Sequence, residues 1–519
     1  MRAIARFADA RNSAEGKVVS TALAALLSLS FLNVALFTDV AGATEGDDNT
    51  KSSDILSMGG EIITDSFSSQ AEVQEESDPI EPSVYFDEET KTLTVKNMDA
   101  VVTADVAQYK TVAKHVRVEN VGSIEKEAFA EFKMESVSIK DVKHVGYSFR
   151  SCTSLKTLDI DGVETIDQYA FYNPASLETV RINAVDTIGK NAFNVYNGTT
   201  SLNSVSLTEV RMIADQAFSG HKNLKTLTFS NVGTIGFQAF MNCPSLTELN
   251  LVWNVEQVGT SAFLGCSGLT ELKADGVEIG ATAFYGCSGL KELSIKEVMA
   301  IGTSAFTGCT GLEQVALQDV GTVGDGAFSS YGDIPSCTSL KTISLTGVGT
   351  IGAQAFAKCS ALETLEMTDI DHVGKNAFWN CTGLKSVSID DVNTIGQYAF
   401  SNCTNLKTAN ITNVAVIDNY AFWYCSNLET INSLQNVSDR IGGFAFYGCE
   451  NLTGLTVADL TKMGFIGSSE SIAARVQAIL AGKFQLDDAQ AIAILEREDG
   501  WEAGDVHRSD NWAAYNNGT

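Results

Sequence analysis

Residues 259–272 read GTSAFLGCSGLTEL, and the stretch returns almost unchanged as ATAFYGCSGLKEL, ending at Leu293, and as TSAFTGCTGLEQV, ending at Val315. Around it, phenylalanines preceded by Ala, in one case by Ser, fall at 129, 149, 171, 193, 218, 240, 263, 284, 306, 328, 356, 378, 400, 422 and 446, most often 22 residues apart. The unit is L-x-x-L-x-[LIF]-x-x-V-x-x-I-G-x-x-A-F-x-x-C-x-x, and fifteen copies of it describe a repeat array, not a set of globular domains. Within a unit, the last two apolar positions of L-x-x-L-x-[LIF] alternate with polar ones, as a half-buried strand requires. V-x-x-I-G reads as a second short extended piece, with Gly236, Gly302 or Gly396 suited to a backbone bend. A-F-x-x-C is then expected to close the coil with a helical turn or something near it. One coil cannot bury its own apolar face, so the coils must stack in register, with Ala-Phe as the interior spine.

The cysteine in this unit raises the question of chemistry. Ten of the eleven cysteines occur one per coil from Cys243 to Cys449, and Cys152 takes the same place earlier. Other coils put Pro174, Thr199 and His221 there, so no reaction depends on a thiol at that position. No two cysteines are a few residues apart, as a zinc site wants. Stacked coils would bring equivalent Cα atoms about 4.8 Å apart, but parallel side chains leave Cβ atoms farther apart than the roughly 3.8 Å of a disulfide. The expectation is a column of buried free thiols. The five histidines, at 115, 144, 221, 372 and 507, are scattered. No zinc-protease helix, nucleophile elbow, phosphate loop or calcium loop is present, so neither catalysis, a metal nor a cofactor is expected.

Composition agrees. Thirty-five basic against 64 acidic residues give a formal charge of -29, the wrong sign for nucleic acid or anionic lipid. Five prolines beside 43 glycines suit a chain with many regular tight turns. At the N-terminus, Arg2, Arg6, Arg11 and Lys17 precede the uncharged run Val18 to Phe37 and then Ala41-Gly-Ala43. That order reads as an export signal over residues 1–43, either cleaved after Ala43 or retained as a membrane anchor. Residues 44–82 are rich in Asp, Glu and Ser and read as an acidic, solvated linker. VYFDEETKTLTV, from Val84 to Val95, reads as a hairpin within an N-terminal cap over 83–120. The array occupies 121–455, and residues 456–519 are expected to form a cap of two short helices, ESIAARVQAILAG and DDAQAIAILERED.

The pattern V-x-x-I-G-x-x-A-F-x-x-C-x-x-L-x-x-[LIV], running from about Val121 to Leu455, resembles the BspA-type leucine-rich repeats of bacterial and some protist surfaces. The chain departs from the usual pattern in lacking, in its strands, the I-P dipeptide often found in that family's strand. The resemblance implies a right-handed leucine-rich solenoid, and with it adhesion to host or neighbouring cells and binding of extracellular matrix proteins. No catalytic residues come with it.

Two surface features remain. The strands carry a hydroxyl ladder, Thr157, Thr179, Ser204 and Thr226, then Glu248, Glu271 and Glu292, then hydroxyls again from Thr342 to Thr430, with Lys291, Glu313, Lys341, Glu363 and Lys385 alternating in sign beside them. Around the spine, the later coils add Trp379, Tyr398, Tyr420, Trp423, Tyr424 and Tyr447, a candidate contact site for an extracellular protein or glycan. The sequence therefore leads to an exported, non-enzymatic β-rich solenoid that binds a macromolecule at a cell surface, the alternative being a spacer or self-assembling surface layer.

Overall fold

The computed structural model describes residues 81–453 apart from 196–199, 253, 331–334 and 433. The export segment, nearly all of the acidic linker, Thr199 and the C-terminal helical segment lie outside these residues.

The described chain is a β-solenoid of coils stacked through one continuous sheet of 21 strands. β1 (Ser83–Asp87) and β2 (Thr92–Val101) form the antiparallel hairpin, with Tyr85 opposite Thr94. β2 is also the first rung of the array, because it pairs in parallel with β3 (His115–Ile124). From there β4 (Ser136–Val145), β5 (Thr157–Ile166), β6 (Thr179–Ile188) and β7 (Ser204–Ile213) follow in strict register, like position on like position. The only α-helix among the described residues is the four-residue Thr103–Val106.

The strand differs from expectation in a way the backbone explains. L-x-[LIF] and V-x-x-I are two legs of one ten-residue strand, joined at a residue in the left-handed region such as Asn120, Asp141, Gly162 or Asn231. Asn, Asp and Gly tolerate that conformation best. In four coils the legs separate into two short strands, as in Glu271–Lys273 and Glu278–Ile279. The glycine after the second leg serves a different purpose from the bend expected of it. A Cβ on Gly236 would lie 2.7 Å from the Ile213 carbonyl oxygen of the coil below, so this glycine permits close stacking.

The closing segment is a run of turns, not a helical turn. Left-handed residues flank the Ala-Phe pair, Gln238 (φ 54°) and Asn242 (φ 58°) in the coil of Phe240. Alternate N–H groups point in alternate directions as a result. Ala239 and Met241 bond within their own coil, whereas Gln238, Phe240 and Asn242 donate to Thr260, Ala262 and Leu264 of the next. The turn edge is thus laced between coils much as the strands are.

Inside, the fifteen phenylalanines form an unbroken stack from Phe129 to Phe446, neighbouring centroids 4.7–5.4 Å apart and planes within 12°. The small residue before each ring, Ala in every coil but that of Phe149, leaves room for the ring of the next coil, and all fifteen Phe are buried.

Candidate functional site

The cysteine column settles first. All eleven thiols are free and buried. Each Sγ–H points to the carbonyl oxygen of the phenylalanine one coil earlier, at 3.2–3.9 Å, as Cys266 does to Phe240. Burial pushes the thiols of Cys152 and Cys337 up to about 12 and also raises those of Cys309, Cys359 and Cys381, which suppresses the reactive thiolate. His221 shows that the position is structural, because its Nε2 lies 2.8 Å from the carbonyl oxygen of Phe193, the same acceptor one coil back.

The strand ladders form as read. Glu248, Glu271 and Glu292 are direct cross-strand neighbours, and Lys273 relieves their repulsion at 2.6 Å from Glu271. Lys341 pairs with Glu313 at 2.7 Å and Lys385 with Glu363 at 2.8 Å, and hydrogen bonds from the lysines hold both carboxyls below their ordinary range.

Of the six aromatic candidates, five are joined by ring contacts. Tyr398 stacks on Tyr420 at 4.7 Å, Trp423 sets its edge against Tyr398 at 6.0 Å and Tyr424 at 4.5 Å, and Tyr424 meets Tyr447 at 5.8 Å. Trp379 makes no ring contact with them among the described residues. It lies two coils below Trp423 in the same column, with the Lys358 ammonium 5.4 Å from its centroid. All six are half-buried. Half-burial beside Tyr424 pushes the Tyr447 phenol up.

Sequence reasoning missed Phe444, which stacks on Tyr420 at 5.5 Å. Its signal is the position before Ala-Phe, shared with Tyr398 and Tyr420. That position is left-handed, with φ of 57° at Tyr398, 61° at Tyr420 and 55° at Phe444. Most coils place Asn191, Gln216, Ser261, Gly326 or a similar small or polar residue there, Tyr147 and Tyr169 being the earlier aromatic exceptions. A bulky residue held there costs on the order of 1–2 kcal/mol. Ser401, between Trp379 and Trp423 in their column, has a buried hydroxyl without a hydrogen-bond partner among the described residues. Strain and an unsatisfied polar atom therefore coincide at the aromatic strip.

A second feature escaped the sequence reading. The strand face of β1 to β7 is recessed by about 1030 Å³, with a floor of hydroxyl and charged side chains.

These coils, strands and laced turns define a leucine-rich solenoid whose exposed residues, not its spine, vary along the stack. The chain belongs to the BspA type leucine rich repeat family, whose model matches residues 109–197, 194–277, 272–385 and 349–466. No curated protein matches its sequence significantly. Among solved structures it is similar to a leucine-rich repeat protein of Bacteroides ovatus at 22% identity, covering 73% of this chain and 93% of that one, TM-score 0.43. It is also similar to a leucine rich cell surface protein of Faecalibacterium prausnitzii at 24% identity, covering 59% and 87%, TM-score 0.31. No helix of the described residues is long and apolar enough to cross a membrane.

Proposed function

We propose that this protein is an exported, non-enzymatic adhesin that binds a protein ligand through the aromatic strip of its last coils. The observation that carries the reading is the left-handed stack Tyr398, Tyr420 and Phe444. Most other coils fill the same position with small or polar residues, so the run of three aromatic ones points to a role besides stability. A protein is the better occupant than a sugar, because Tyr398, Tyr420 and Phe444 stack on one another and so cover one another's faces. Such half-buried Trp and Tyr clusters suit the centre of a protein interface. Family membership supports a protein-binding role, and the sequence over 1–43 supports export.

The test is binding of the purified chain to an immobilised panel of extracellular matrix proteins. Trp423→Ala is expected to weaken capture by at least about tenfold while the denaturant midpoint moves little. Capture unchanged by Trp423→Ala and Trp379→Ala would sink the reading, as would self-assembly with no ligand retained.

A further inference from the structure

The recess on the strand face is built from two columns of cross-strand neighbours. One runs from Thr92 through Thr157 and Thr179 to Ser204, the other from Thr94 through Arg117, Asp159 and Arg181 to Ser206. Tyr85, 61% exposed on β1, stands at its end. The apolar residues between the columns, Val116, Val137, Leu158 and Val180, are at most 2% exposed, so the floor offers a protein partner no apolar anchor. Its charge is nearly balanced, two arginines against Asp87, Glu119 and Asp159, which favours neither a polyanion nor a polycation. Arg181 donates to Asp159 at 2.8 Å, whereas Arg117 has no ion-pair partner among the described residues.

What this surface offers is a row of directional hydrogen-bonding groups repeating at the inter-strand step of about 4.8 Å, with one open aromatic face at the end. A pyranose ring in an extended β-linked chain advances the polymer by a length close to that step. Its vicinal hydroxyls match carboxylate and guanidinium forks. We propose that the recess binds a neutral, extended glycan chain lying across β2 to β7, one sugar per coil, its terminal ring stacked on Tyr85. This site is separate from the aromatic strip, seven coils further along the array, and stands or falls independently of it.

The full chain should be presented to an array of neutral oligosaccharides of two to six sugars, with a heparin hexasaccharide as the polyanionic control. The expected result is retention of a neutral hexasaccharide, about tenfold tighter than the matching disaccharide and insensitive to salt. Tyr85→Ala and Arg117→Ala should each weaken it about tenfold, Tyr85→Phe should retain it, and Trp423→Ala should leave it unchanged. The proposal is overturned if no neutral oligosaccharide is retained, if only heparin binds, or if both recess variants bind as the parent does.

Discussion

At the scale of single residues, His221 shows most clearly what the repeat demands. Phe193 can only accept at its carbonyl, so Nε2 of His221 carries the proton, and Nδ1, 3.1 Å from the Thr200 hydroxyl, accepts. Thr200 is the buried neighbour of Thr199, the residue that sequence spacing aligned with the cysteines. Full burial lowers the His221 pKa to about 4, so the ring is neutral when folded. Below the ordinary value of about 6.5 the unfolded chain therefore binds the extra proton first, and stability is lost as pH falls through the window between the two values. A difference of that size amounts to about 3 kcal/mol. His221→Cys, which installs the residue of the other coils, should abolish that part of the acid sensitivity. Denaturant melts of both proteins at pH 7 and pH 4 would check it, and parallel losses would refute it. The thiol reading was available from spacing alone. The shared acceptor was not, because nothing in a sequence shows which carbonyl of the neighbouring coil a side chain will meet.

At the scale of the element, one coil is a two-legged strand and a laced turn held over a phenylalanine. Phe306 sits between Phe284 at 5.3 Å and Phe328 at 5.1 Å and is fully buried. Phe306→Ala should cost about 3–5 kcal/mol, since rigid neighbours above and below cannot collapse into the space. A denaturant melt measures it, and a loss below ~1 kcal/mol would mean that the stack is not what holds the coil. Strand position, burial alternation and the Ala-Phe spine were all legible, because they depend on polarity at fixed spacing. The closing turn was misread as near-helical. Its conformation is set by left-handed residues whose identity drifts among Asn, Gln, Ser, Gly and Tyr, so no single letter announces it. The same drift hid Phe444, and the recess needed the register of seven strands before its columns existed.

At the scale of the whole molecule, stability is a sum of like interfaces, each coil meeting only its neighbours. Removing residues 281–302, one coil of 22, would join Gly280 to Thr303 and restore I-G-T-S-A-F at the seam. The shortened chain should fold with a comparable denaturant midpoint, and small-angle scattering should find it shorter by about 5 Å. Aggregation or a collapsed midpoint would show that particular neighbours, not repeat positions, make the interface. The near-identity of the three coils from 261 to 315 is what tandem copying leaves behind. Because strand registers with strand throughout, the gap between recess and aromatic strip is counted in whole coils. Gene duplication can lengthen or shorten that reach in steps of about 4.8 Å while leaving both ends untouched, so the distance to a surface becomes a heritable integer.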